Sequence, residues 1–248
     1  MDSAAERAVP DTLVAVAVFG VSALWLSSLS SPALGLQLAG LCAGALVAGA
    51  AVASLLRRIP RFSTPADRVT LARALLAALC AVLAVPQLLT GRPPDLLLVV
   101  LGGVAFLLDA LDGPVARRTG TASAAGARFD AATDAALVLV LSTAAAGVVG
   151  PWTLVTGAMY YAFVAAGFFR PHLRAPLPPS AARKAIGAFQ PFALLVALLP
   201  GIPVAAATAV AAAALALLTY SFGRDTFLLE QRRRTGPVES VRIRTDSP

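Results

Sequence analysis

Four aspartates carry most of the chemistry that this sequence can support. Asp109, Asp112, Asp130 and Asp134 are the only acidic residues between Leu96 and Arg224. The first two are spaced i,i+3 and the last two i,i+4, so each pair shares one face of a helix. The connection between the pairs is short, which makes their helices antiparallel neighbours and brings four carboxylates together. Such a group repels itself unless a cation compensates, and one or two divalent ions do so most simply. With no His or Cys in the set, hard oxygen ligands select Mg²⁺ or Mn²⁺ over zinc. Two such ions can clamp the oxygens of a phosphoryl transfer. Gly113 and Gly126 let backbone approach a bulky ligand, while Arg117, Arg118, Thr119, Thr121 and Ser123 offer donors suited to phosphate. No Walker loop or dinucleotide-type glycine fingerprint is present. The spacing leaves two alternatives open, an ion or proton pathway in a transporter and structural pairing with Arg117 or Arg128.

The elements that position these acids are membrane helices. The 248 residues are 58% hydrophobic and 13% charged, and mean hydropathy is +0.80. A soluble domain carries about 25% charged residues. Apolar runs of spanning length recur along most of the chain. We read eight spans: Thr12–Leu29, Leu34–Leu56, Val69–Leu89, Leu96–Val115, Gly126–Val149, Trp152–Phe169, Ala185–Leu199 and Ile202–Phe222. The fold class is therefore all-α and integral to a membrane.

The charge is +7, but its distribution excludes nucleic acid as a partner. Arginines at 57, 58, 61, 117, 118, 170, 174 and 232–234 flank the spans at alternate connections. That is the positive-inside pattern, and it places both termini and the aspartates in the cytoplasm of a multi-pass protein of the cell membrane. Pro65 to Arg73 suits a short helix in the headgroup layer, with arginines that snorkel, before the chain turns inward. Three regions follow: a transmembrane hairpin at 1–62, a catalytic domain at 63–225, and a polar cytoplasmic tail at 226–248.

Taken together, Asp109-x2-Asp112-Gly113-x2-Ala116-Arg117-x8-Gly126-x3-Asp130-x3-Asp134 resembles the complete signature of the CDP-alcohol phosphatidyltransferases. The resemblance implies a six-helix core from about Pro65 to Arg224, preceded by the extra hairpin. It implies displacement of CMP from a CDP-linked lipid, usually CDP-diacylglycerol, by an acceptor alcohol. By similarity, Asp109, Asp112, Asp130 and Asp134 hold two metal ions, and Asp134 is also the general base. Gly113, Ala116, Arg117, Ser123 and Gly126 match positions that contact the CDP part, and Asp67, Arg68 and Thr70 match the segment that covers the nucleotide. Dimerisation is expected through the resemblance alone. Arg174, Arg183 and Lys184 could attract a phosphorylated acceptor such as glycerol phosphate or inositol phosphate. Lys184 and Gln190 also resemble the basic-to-Gln stretch of bacterial members. Ile186 and Gly187, however, stand where a second basic residue and a Thr often occur.

Overall fold

The computed structural model describes residues 8–30, 33–57, 63–118, 123–174 and 180–234; for 8, 110–118, 174, 232 and 234 it describes the backbone alone. Among these, the chain is a bundle of helices: α1 (Ala8–Ser30), α2 (Leu34–Leu56), α3 (Pro65–Thr90), α4 (Leu96–Arg118), α5 (Ala124–Ala146), α6 (Leu154–Phe169), α7 (Ala181–Leu198) and α8 (Val204–Arg234). Short 3-10 turns at Pro151–Thr153 and Pro171–Arg174 flank α6. Seven of the helices are long and apolar enough to cross a membrane. The expected span Leu96–Val115 lies within α4, whose side chains are described as far as Asp109.

The helix α3 is the most buried of the spanning helices, and α1, α2, α4 and α5 all pack on it. It begins at Pro65 without a break. Thr64 accepts a hydrogen bond from the Asp67 amide at 3.1 Å, and Asp67 Oδ2 accepts one from the Thr64 amide at 3.0 Å. This reciprocal cap, with proline in the first turn, starts one continuous helix in place of the separate headgroup helix that the sequence suggests. The helix ends at Gly91, whose φ of 64° only glycine adopts at little cost.

The N-terminal hairpin packs closely on this helix. A Cβ on Gly44 would lie 2.8 Å from the Ala78 carbonyl oxygen, and one on Gly40 would collide with the Val82 carbonyl. Small residues four apart thus bring the α2 and α3 backbones into contact, as membrane helices require where no hydrophobic effect drives them together. At the other end of the chain, residues 226–234 of the polar segment continue α8 as helix.

Candidate active site at one end of the bundle

Asp109 on α4 and Asp130 and Asp134 on α5 converge: each offers a carboxylate oxygen, and these oxygens lie within 4.8 Å of one another. All three side chains are partly exposed. The i,i+4 spacing sets both members of the α5 pair on the face that meets α4 at Asp109, before the last turns of that helix. Asp112, Gly113, Ala116 and Arg117 lie on those last turns, where their side chains fall outside the described residues.

A residue that the sequence reading left at the lipid headgroups proves central. Arg73 on α3 does not snorkel; its side chain is 1% exposed and lies across the three carboxylates. Nη1 is 2.5 Å from Asp130 Oδ1, Nη2 is 2.9 Å from Asp109 Oδ1, and Nη2 also pairs with Asp134. Nε donates to the Ala105 carbonyl oxygen at 3.3 Å. A guanidinium buried this fully needs such partners, since an unpaired charge in a low-dielectric interior is very costly. One arginine against three carboxylates still leaves the group net negative. The donor set, carboxylate oxygen throughout, fits a hard divalent cation that would share these oxygens with the guanidinium.

The residues expected to contact the nucleotide divide. Asp67 is buried in the Thr64 cap, and a Cβ on Gly126 would lie 3.9 Å from its Oδ1, so the first turns of α3 and α5 adjoin. Ser123 caps α5, its hydroxyl accepting from the Gly126 amide at 3.0 Å. Thr70 donates to the Ala66 carbonyl oxygen on the same buried face. Arg68 instead reaches α1, with Nε 2.9 Å from Asp11 Oδ2.

Beyond Asp134 lies a cavity of about 430 Å³ between α5, α6, α7 and α8. Its walls are helix stripes. From α5 it takes Ala131, Asp134, Ala135 and Val138, and from α7 Arg183, Ile186, Gly187 and Gln190. Each set has the i,i+3,i+4,i+7 spacing of one helix face. From α8 the same spacing presents Leu218, Ser221, Phe222 and Asp225. Thr156, Gly157, Tyr160 and Phe163 of α6 complete the enclosure. Of the residues expected to receive the acceptor, Arg183 lines this cavity and is paired with Asp225, Nε to Oδ2 at 3.0 Å. Lys184 is exposed on another face of α7, and Arg174 ends a 3-10 turn with its side chain outside the described residues.

The family model described as CDP-alcohol phosphatidyltransferase matches residues 63–220. Neither a curated protein nor a solved structure matches the chain.

Proposed function

Because the chain belongs to the CDP-alcohol phosphatidyltransferases, membrane transferases of phospholipid synthesis, we propose that it moves a phosphatidyl group from CDP-diacylglycerol, or a similar CDP-lipid, to an acceptor alcohol and releases CMP. Family members are enzymes, so the transporter alternative is set aside. One observation supports the reading most: Asp134 belongs both to the carboxylate group and to the wall of the large cavity. A group in that position can take a proton from an alcohol in the cavity while the pyrophosphate lies at the carboxylates.

We assign Asp109, Asp112, Asp130 and Asp134 to two Mg²⁺ or Mn²⁺ ions. Bound there, the ions supply charge neutralisation to the pyrophosphate and to the departing CMP. The chain's own part follows from its groups. The α5 N-terminus, capped by Ser123 and opened by Gly126, presents backbone amides suited to phosphate. Asp67 and Thr70 on α3, with Gly113, Ala116 and Arg117 on α4, border the CDP part, and Arg68 adds positive charge at the same end of α3. Arg73 holds the carboxylates at fixed positions, so that little reorganisation is needed when substrate arrives.

In the transfer, the acceptor oxygen attacks the phosphorus on the diacylglycerol side. A new P–O bond forms, the bond to the bridging oxygen breaks, CMP leaves with that oxygen, and the acceptor proton passes to Asp134. The carboxylate end and both termini face the cytoplasm in this reading, where CDP-lipid headgroups and soluble acceptors meet. A phosphorylated acceptor, glycerol phosphate or inositol phosphate, is what Arg174, Arg183 and Lys184 suggest from sequence; the cavity walls support a different class, argued below. The experiment for the base is Asp134→Asn in the purified protein. CMP release is expected to stop while CDP-diacylglycerol still binds; retained turnover would refute the assignment.

A further inference from the structure

Resting on phosphatidyl transfer with Asp134 as base, we propose that the acceptor is an alcohol without a phosphate group, bound in the cavity between α5, α6, α7 and α8. Charge is the first ground. Among the described lining residues Arg183 is the one cation, and it is already matched by Asp225 at 3.0 Å, while Asp134 is paired with Arg73. A phosphate monoester brings a charge of about −1.5 to −2 at neutral pH. It would have to displace the Asp225 carboxylate from Arg183. The i,i+3,i+4,i+7 face of α7 sets Ile186 and Gly187 between Arg183 and Gln190, and Lys184 lies off that face. Nothing else on α7 supplies the cavity with a cation.

Hydrogen bonding is the second ground, independent of charge. Gln190 lies in the wall and is 2% exposed. Its Nε2 donates to two carbonyl oxygens, Ile186 at 3.2 Å and Ala214 at 3.1 Å. Both partners are acceptors, so the orientation of the amide is set. Its Oε1 has no hydrogen-bond partner among the described residues. A buried acceptor left in this state is costly, and only a donor relieves it. A hydroxyl donates, whereas an ionised phosphate presents mainly acceptors. The polar atoms of the wall are thus mainly acceptors, the Asp225 carboxylate and the unpartnered amide oxygen among them, which suits a ligand rich in O–H groups. Phe163 and Phe222, with ring centroids 5.1 Å apart, close its wall between α6 and α8 with apolar surface. A water-soluble polyol and a lipid-borne alcohol share this chemistry, and the test separates them.

The test uses the full chain in lipid nanodiscs with CDP-diacylglycerol and Mn²⁺, following CMP release. Glycerol, myo-inositol, serine and diacylglycerol are compared with glycerol 3-phosphate and inositol 1-phosphate. A phosphate-free alcohol is expected to exceed the best phosphorylated acceptor in kcat/KM by about tenfold or more, as the loss of one buried hydrogen bond implies. Activity with diacylglycerol alone identifies a lipid-borne acceptor; activity with a soluble alcohol alone identifies a free polyol or amino alcohol. A phosphorylated acceptor that matches or exceeds every phosphate-free one overturns the inference and leaves phosphatidyl transfer standing. CMP release with none of them overturns the transfer reaction itself. Two variants read the determinants separately. Asp225→Asn is expected to raise the relative kcat/KM for phosphorylated acceptors about tenfold. Gln190→Leu is expected to raise the acceptor KM about tenfold and leave that of the CDP-lipid unchanged. Selectivity and acceptor KM that stay put in both variants contradict the proposal.

Discussion

At the junction of α3, α4 and α5, one buried guanidinium serves three carboxylates; across Asp134, in the cavity of α5 to α8, one ion pair and one amide face largely apolar walls. The first region has polar groups crowded onto one another, with oxygens within 4.8 Å and a residual negative charge. The second has space, about 430 Å³ of it, and an amide oxygen without a partner among the described residues. The contrast separates two tasks. A crowded, rigid, anionic group suits a fixed and highly charged partner such as a metal-bound pyrophosphate. A roomier cavity with few polar groups suits selection of a neutral molecule by shape and a small number of hydrogen bonds.

The sharpest way to break this comparison is at the residue the two regions share. Asp134→Asn keeps the shape and removes the base, so kcat is expected to fall about 10²–10⁴-fold. Single-turnover CMP release checks it, with CDP-lipid binding retained. Next in size is Arg73→Met, which leaves three carboxylates facing one another without their counter-ion. It is expected to destabilise the protein by about 3–5 kcal/mol, read as a lower unfolding midpoint in detergent, with Arg73→Lys recovering part of it.

Two glycines then compare opposite walls of the cavity. A Cβ on Gly157 would lie 2.6 Å from the Leu139 Cα, so Gly157→Ala must push α6 off α5. The expected loss is about 1–3 kcal/mol, beyond the roughly 1 kcal/mol that alanine gains as a helix former. A Cβ on Gly187 meets nothing within 4 Å. Gly187→Leu should therefore leave the unfolding midpoint in place and fill the cavity, raising the acceptor KM about tenfold. The smallest effect is expected at Lys184, exposed and outside the cavity wall. Lys184→Ala should change the acceptor kcat/KM by less than about twofold, and a larger drop would return that lysine to the acceptor site.

Much of the first region is legible in the sequence, because helix periodicity turns the spacings of Asp109, Asp130 and Asp134 into faces, and a short connection turns faces into neighbours. The membrane helices are legible for a similar reason: apolar runs of that length have few other environments. Arg73 is not legible by the same rules. Three residues after Thr70, at the edge of an apolar run, it has the position of a snorkelling residue, and only tertiary packing shows that α4 and α5 bring carboxylates to it. The self-repulsion of the aspartates is the one signal pointing to it, since it demands a nearby cation of some kind. The second region was the harder to read. Arg183 and Asp225 meet through the packing of α7 on α8, and no spacing rule connects them. Seen alone, Arg183 reads as part of a phosphate site; seen beside Asp225, it reads as half of a pair. The continuous start of α3 is hidden for a local reason, since Thr64 and Asp67 form a reciprocal cap that the run of proline and charge around them obscures.

We propose that the carboxylate group and the cavity serve one reaction, a transfer that divides CDP-lipid into CMP and a new phospholipid. The most direct measurement follows both products from purified protein, CDP-diacylglycerol and an acceptor mixture, with Mn²⁺ present and then with the ion chelated. CMP and phospholipid are expected in equal amounts with Mn²⁺, and neither after chelation. CMP released at the same rate after chelation, or released without matching phospholipid, would contradict the proposal.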